Sequence, residues 1–421
     1  MARHMRPALW RAGVESGRAT TKGVPVNQAA SSPVPPPASP VPTSGAPSSA
    51  ASSPASPSTG RAASPSSPVH VYNEWDPLEE VVVGIVEDAM VPPWDVIMPA
   101  VVHDKTLWEF FKANGGKRWP LEMLKKAEAD VEGFVHILEA EGVTVRRPER
   151  FAWDRPIAAP GWSLPSSCYA LMPRDVLFVI GDEIIETPMG WRSRYFEHHA
   201  YKSLCKEYFQ GGARWVAAPR PELTDADYVE GYVAPEEDEP QRFCLTEHEP
   251  LFDAADAIKC GRDVFIARSS CCNGSGIEWL RRHLAPEFSV HEVEIHDTHP
   301  MHIDATFYPL APGKLLVHPT RCVKVPEMFT TAGWDVLTCP EPLMPADHPL
   351  YNCSRWICMN VLMLDEERVI VSKGEDDLVR AFKKWGLKPI ECPFYDFETI
   401  GGGFHCASLD IRRRGELKSY F

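Results

Sequence analysis

Apolar and polar positions begin to alternate with a regular period only from about residue 69, near Val71. Glu80-Val81-Val82-Val83-Gly84-Ile85-Val86 is a near-continuous apolar run, the signature of a strand buried on both faces. A recurring unit follows: an amphipathic helix, a glycine or similar break, then a short strand ending near a proline. Leu121 to Glu141 carries helical spacing at Leu124, Ala127, Val131, Phe134, Val135 and Leu138; Gly142 stops it, and Val143-Thr144-Val145 runs toward Pro148. The second unit predicts a helix from Tyr195 to Gln210, broken at Gly211-Gly212, with Trp215-Val216 leading to Pro219. The third runs from Ile277 to Leu284 and on into Val290-His291-Glu292-Val293. The fourth is Pro326 to Ala332, Gly333, then Trp334-Asp335-Val336-Leu337 to Pro340. The last is Asp376 to Trp385, Gly386, then Leu387 to Pro393.

Strand pairs sit between these units. Asp175-Val176-Leu177-Phe178-Val179-Ile180 turns at Gly181-Asp182 into Ile184-Ile185, and Val361-Leu362-Met363-Leu364 turns at Asp365-Glu366-Glu367 into Val369-Ile370-Val371. Asp263 to Ala267 and Lys314 to Val317 read as equivalents. Five helix–strand units that share a pattern of elements, without readable identity, predict an α/β repeat architecture rather than a doubly wound sheet.

Residues 1–68 differ. Ser31-Ser32-Pro33-Val34-Pro35-Pro36-Pro37 and Ala51-Ser52-Ser53-Pro54 cannot bury enough apolar surface to offset the entropy of ordering, so a disordered Pro/Ser/Ala-rich extension is expected, followed by one catalytic domain over 69–421. Arg3, Arg6, Arg11 and Arg18, with Glu15 as the only acid among them, suit a mitochondrial presequence; the plain alternative is a low-complexity tail on a cytoplasmic protein. A net charge of −15 argues against a general nucleic-acid binder. No run of eighteen or more apolar residues is present, so no membrane span is expected. The 12 cysteines are scattered without a CxxC pair, which reads as mostly free thiols in a reducing compartment.

Four segments could carry chemistry. In Gly401-Gly402-Gly403-Phe404-His405-Cys406, three glycines permit a tight backbone turn that can present a thiol, although most free cysteines are small buried hydrophobes. His405 is expected to point away from Cys406. In Pro300-Met301-His302-Ile303-Asp304, an extended backbone would put His302 and Asp304 on one side. The bland alternative is a satisfied surface pair; a metal would need a third ligand at metal spacing, and none lies nearby. Phe252-Asp253-Ala254-Ala255-Asp256 places two acids where a helix N-terminus would favour them, and Pro173-Arg174-Asp175 puts an acid at the entry to an apolar strand.

Together with Tyr72-Asn73-Glu74-Trp75-Asp76-Pro77-Leu78-Glu79-Glu80, Trp191-Arg192-Ser193-Arg194, Gly276-Ile277-Glu278-Trp279, Ala305-Thr306-Phe307, Asp347-His348-Pro349-Leu350 and Arg412-Arg413-Arg414-Gly415, these segments make the chain resemble the amidinotransferases, in particular the arginine:glycine enzymes of creatine biosynthesis. The resemblance extends from about Tyr72 to Tyr420. It implies a five-bladed, pentein-type α/β propeller. It implies transfer of the amidino group of arginine to glycine, by a ping-pong mechanism through an amidino-Cys406 intermediate, with no cofactor and no metal. Cys406 matches the nucleophile, His302 the general acid/base, and Asp253 the acid that orients it. Asp175 and Asp304 match the carboxylates that hold the guanidinium, and Arg321 the group that binds the substrate's α-carboxylate. Ser354 matches one of two serines at the amino-acid end; Cys353 stands where the other would be. Ala407-Ser408 follows the nucleophile where animal enzymes carry a bulkier residue, a change expected to reshape the pocket floor. A homodimer is implied. Close rivals are an inosamine-phosphate amidinotransferase and an arginine deiminase-like hydrolase; a rival of another class is a non-catalytic arginine-binding protein.

Overall fold

The structure is a computed structural model, and it describes residues 67–421 apart from position 103. The expectations for the N-terminal extension therefore fall almost entirely outside the described residues. Ser67, the first of them, is buried, and its carbonyl accepts from Arg412 at 2.8 Å. Among the described residues no helix is long and apolar enough to cross a membrane.

The described part is an α/β fold with five three-stranded sheets and one two-stranded sheet. In the first, β1 (Leu78–Val83) is central, parallel to β2 (Thr144–Arg146) and antiparallel to the last strand of the chain, Ser408–Arg413. The other four repeat one plan. An inner strand pairs antiparallel with a middle strand, and the middle strand pairs parallel with an outer one. The inner strands are Leu177–Ile180, Ala257–Cys260, Phe307–Ala311 and Leu362–Met363. The parallel step needs a crossover, and each has a helix: Leu121–Ala140, Lys202–Gln210, Gly274–Leu284, Glu327–Thr331 and Asp376–Lys384. Gly142 and Gly386 close two of them in the left-handed region (φ +85° for both), a conformation that Cβ-bearing residues disfavour.

Burial falls across each sheet. Inner strands such as Leu177–Ile180 and Ala257–Cys260 are buried at every position, whereas outer strands such as Asp335–Thr338 are mostly exposed. That explains why Leu177–Ile180 looks uniformly apolar in sequence and the outer strands do not, while Ala257–Cys260 includes Lys259, buried in an ion pair with Glu74. Helix Leu121–Ala140 lays Leu124, Ala127, Val131, Phe134 and Leu138 into the core. Phe134 meets Phe394 at 5.5 Å and Phe404 at 5.2 Å between ring centroids, so this helix backs the turn that carries Cys406.

Two elements differ from the pattern-based expectation. Tyr195 to Gln210 is not one helix: 3₁₀ turns at Arg192–Arg194 and Glu197–Tyr201 precede the α-helix Lys202–Gln210. The first part turns inward to bury the ion pair of Arg194 with Glu197, which an amphipathic helix could not do. Asp175 and Val176 are not strand but the end of a helical turn, Pro173–Val176, started by a proline at its first position.

Candidate active site

Each inner strand is preceded by a short turn, and these turns touch one another. Pro173–Val176 packs on Ala254–Asp256, that on Ile303–Ala305, and that on Arg355–Met359, while Pro173–Val176 also packs on Ser408–Arg413. Asp175, Asp253, His302, Asp304, Cys353, Ser354 and Cys406 lie on or beside these segments, and Arg321 comes from the loop after the middle strand Lys314–Val317. Five sequence-distant segments thus meet in one cleft, lined among others by Asp175, His302, Asp304, Arg321, Cys353, Ser354 and Cys406. Asp253 lies just behind it, fully buried.

The glycine turn before Cys406 is sterically required. Gly401 has φ +120°, and a Cβ there would come within 2.8 Å of Asn352 Cβ. Side chains at Gly402 and Gly403 would strike Met172 sulfur (2.5 Å) and Asn360 Cβ (2.7 Å). Asn360 then holds the cysteine at both ends: Cys406 N donates to Oδ1 at 2.9 Å, and Nδ2 donates to Sγ at 3.2 Å. No sequence signal singled out Asn360.

His302 departs from the extended backbone expected for Pro300 to Asp304. Its φ is +59°, and a 3₁₀ turn follows at Ile303–Ala305. His302 and Asp304 therefore reach the cleft around a bend rather than as alternate residues of a strand. A β-carbon residue in the left-handed region is uncommon and is often held at functional sites by its surroundings. The ring lies between two carboxylates, with Nε2 at 3.2 Å from Asp253 Oδ2 and Nδ1 at 3.7 Å from Asp175 Oδ1. Asp253 is itself the N-cap of Ala254–Asp256, in a capping box with Asp256.

Asp175 and Asp304 are each anchored by a further side chain. Asp175 Oδ2 accepts from Arg194 at 2.8 Å, leaving Oδ1 without a hydrogen bond. Asp304 Oδ2 accepts from His405 at 2.8 Å and lies 3.7 Å from Cys406 Sγ. His405 points away from Cys406, as expected, into a buried cluster where Glu74 bonds it at 3.2 Å and pairs with Arg174 and Lys259. Arg194, Glu74, Arg174 and Lys259 lay within or near recognised motifs, but sequence reading gave them no task.

These neighbours set the charge states. Burial, then Asp304 and Asp175, push the Cys406 thiol up to about 12 against the pull of His302. Burial works against a charged His302, yet Asp175, Asp253 and the Cys406 contact hold its pKa well above the ordinary value. Burial also tends to raise Asp304, but the His405 hydrogen bond and charge outweigh it and keep the carboxyl below its usual range. Asp175 is raised by burial, only partly offset by His302 and Arg194.

At the far end, Arg321 Nε pairs with Asp297 Oδ2 at 3.0 Å, and its NH2 donates to Ser354 Oγ at 3.3 Å. Cys353 is on the cleft wall, but its thiol donates to Glu398 O at 3.4 Å and is held neutral by burial. Ala407 does not reach the cleft; it is fully buried in the core with Phe404. Ligand atoms of Asp175, His302 and Cys406 lie within 4.8 Å of one another.

No family model matches the chain. It is 50% identical over 355 residues to an L-arginine:L-lysine amidinotransferase of Pseudomonas savastanoi pv. phaseolicola, covering 84% of this chain and 97% of that one. It is 48% identical over 360 residues to a mitochondrial glycine amidinotransferase of Danio rerio, covering 84% and 85%. Among solved structures, an amidinotransferase of saxitoxin biosynthesis from Microseira wollei matches with a TM-score of 0.81 and 48% identity, over 84% of this chain and all of that one. The inosamine-phosphate amidinotransferase of Streptomyces griseus matches with a TM-score of 0.76 and 37% identity, over 84% and 99%.

Proposed function

The chain belongs to the amidinotransferase family and is an enzyme of that kind; from this premise we propose that it takes the amidino group from arginine onto Cys406 and passes it to glycine, giving guanidinoacetate and ornithine. The observation that carries the reading is the convergence of Cys406, His302, Asp175 and Asp304 on one cleft.

A guanidinium is delocalised, always charged and a poor electrophile until it is oriented and its charge localised. Asp175 and Asp304 offer two carboxylates for its planar donors, at the cysteine end of the cleft. Arg321 and Ser354 take the α-carboxylate, and Asp297 beside them takes the α-ammonium. The bound cation offsets the two aspartates that keep the thiol neutral, so arginine binding sends the thiol proton to solvent and leaves a thiolate beside the His302 imidazolium. Sγ attacks the guanidinium carbon. The bond from that carbon to Nε breaks as His302 protonates the nitrogen, and ornithine leaves as a neutral amine. Neutral His302 then takes a proton from the acceptor amine as it attacks the amidino carbon. The C–S bond breaks, and the thiolate and imidazolium are restored. Asp253 keeps the imidazole oriented and stabilises its cationic form.

A second reading has lysine as acceptor, favoured by the relative of that specificity at 50% identity. Lysine is one methylene longer than ornithine, and a cleft that releases ornithine can admit it. A phosphate-bearing acceptor fits less well: of the two arginines lining the cleft, Arg194 is already committed to Asp175 and Glu197. Incubation with arginine and, separately, glycine, lysine or no acceptor tests the proposal. Guanidinoacetate should form fastest, and the enzyme held with arginine alone should gain the mass of one amidino group. Homoarginine as the faster product would move the acceptor to lysine; citrulline as the main product would remove amidino transfer.

The same premise supports a five-bladed propeller, because five like sheets and their inner turns recur around the cleft residues. It also supports a homodimer, to be tested by light scattering. The mitochondrial names of the vertebrate relatives support a mitochondrial address with residues 1–68 as presequence. A mature N-terminus that remained at Met1 in cells would count against cleavage.

A further inference from the structure

Among the buried polar atoms of the cleft wall that lack a hydrogen-bond partner are Asp175 Oδ1, Trp191 Nε1 and Asn352 Oδ1. Buried polar groups are nearly always paired, and those left over in a cleft are candidates for a ligand. Asp175 Oδ1 has one in the donor guanidinium. Asn352 Oδ1 has none in the scheme above.

Asn352 is 5% exposed, and its Nδ2 donates to Ile400 O at 3.4 Å, at the foot of the glycine turn. With Nδ2 assigned to that bond, Oδ1 is the end left unpaired. Gly401, with no Cβ, lets Asn352 stand against the turn that presents Cys406. Two residues further on, Ser354 bonds Arg321. Asn352 therefore shares the cleft wall with Arg321 and Ser354 and stands against the turn that presents the nucleophile.

We infer that Asn352 is a specificity-determining residue of the second half-reaction: its Oδ1 accepts an N–H of the neutral acceptor amine and aims the lone pair at the amidino carbon. This rests on the amidino-transfer reading. The donor arginine already finds partners for its three charged groups in Asp175 with Asp304, Arg321 with Ser354, and Asp297. What remains is a neutral acceptor, and that suits the second substrate. An aliphatic amine attacks only when unprotonated, and a carboxylate beside it would stabilise the ammonium and raise its pKa. An amide oxygen holds the N–H without that penalty.

The test uses Asn352→Leu and Asn352→Asp in the full chain. With arginine alone, amidino-enzyme formation is followed by intact mass and by ornithine release. With glycine and with lysine, kcat/KM is measured across pH, together with the share of intermediate lost to water as urea. Asn352→Leu should form the amidino-enzyme at a rate within about twofold of the parent, while acceptor kcat/KM falls about tenfold, the equivalent of one hydrogen bond. The urea share should rise. Asn352→Asp should move the acceptor pH profile toward higher pH, which a merely structural role would not do. Equal slowing of both half-reactions by the leucine variant, or an unshifted profile in the aspartate variant, would overturn the inference. A parent enzyme that forms no amidino-enzyme would overturn the underlying reading instead.

Discussion

Replacing Asp304 by Asn should make Cys406 more reactive in the free protein while weakening turnover of arginine. Asp304 Oδ2 lies 3.7 Å from Sγ, and its charge is one of the causes that push the thiol up to about 12. At that separation and an effective dielectric of about 20, two unit charges interact by roughly 4 kcal/mol. At about 1.4 kcal/mol per pKa unit, this bounds the effect at about three units. Part of the aspartate's charge is already compensated by His405, so a fall of about one to two units is expected. Alkylation by iodoacetamide reports the thiolate, and peptide mass analysis separates Cys406 from the other cysteines, which are buried or half-buried. The alkylation rate at a fixed neutral pH should therefore rise about ten- to hundredfold in Asp304→Asn. Over the same substitution, arginine loses a charged hydrogen-bond partner worth about 1.5–3 kcal/mol, and kcat/KM for arginine should fall by at least about tenfold. An alkylation profile that is unchanged, or displaced to higher pH, would refute the claim that the cleft carboxylates suppress the nucleophile until a cation arrives.

Asp253→Asn removes a charged partner of His302, so the imidazolium should give up its proton at lower pH; the basic limb of the arginine half-reaction should move down and kcat should fall about a hundredfold, read from pre-steady-state ornithine release. Glu398 is raised to about 8 by burial, so the folded state holds it as a neutral acid. A carboxyl raised from 4.5 contributes its full stability only below about pH 4.5 and loses it as pH climbs toward 8. Calorimetry should show Tm of the parent declining between pH 5 and 8, and Glu398→Gln, which cannot ionise, should flatten that decline. Phe134→Ala empties a fully buried site between Phe394 and Phe404 and should destabilise by about 3–5 kcal/mol in urea titrations. Since Phe404 carries the turn to Cys406, its kcat should fall as well.

The site was legible in sequence where chemistry is local, and illegible where it is relational. Gly401-Gly402-Gly403 marks a turn because only glycine fits so close to Asn352, Met172 and Asn360, and that constraint is written into three consecutive letters. The inner strands Leu177–Ile180 and Leu362–Met363 were visible for the same reason, since burial on both faces leaves little room for polar residues, whereas Ala257–Cys260, which carries Lys259, and Phe307–Ala311 were not read. By contrast, Asn360 touches Cys406 from 46 residues away, and Glu74 reaches His405 across 331, so no window of sequence contains either pair. The helix expected over Tyr195 to Gln210 fails where Arg194 and Glu197, polar by pattern, are among the most buried side chains of the site. His302 fails more subtly: alternation put it beside Asp304 on a strand, yet the positive φ that turns it toward Asp253 and Asp175 is imposed by those acids and their surroundings. A local rule breaks where the tertiary structure uses a residue against its preference, and here both breaks fall on residues that line the cleft or hold its carboxylates. Periodicity that fails in an otherwise regular repeat is then itself a pointer to function, since strain and buried charge persist only where packing over-determines them.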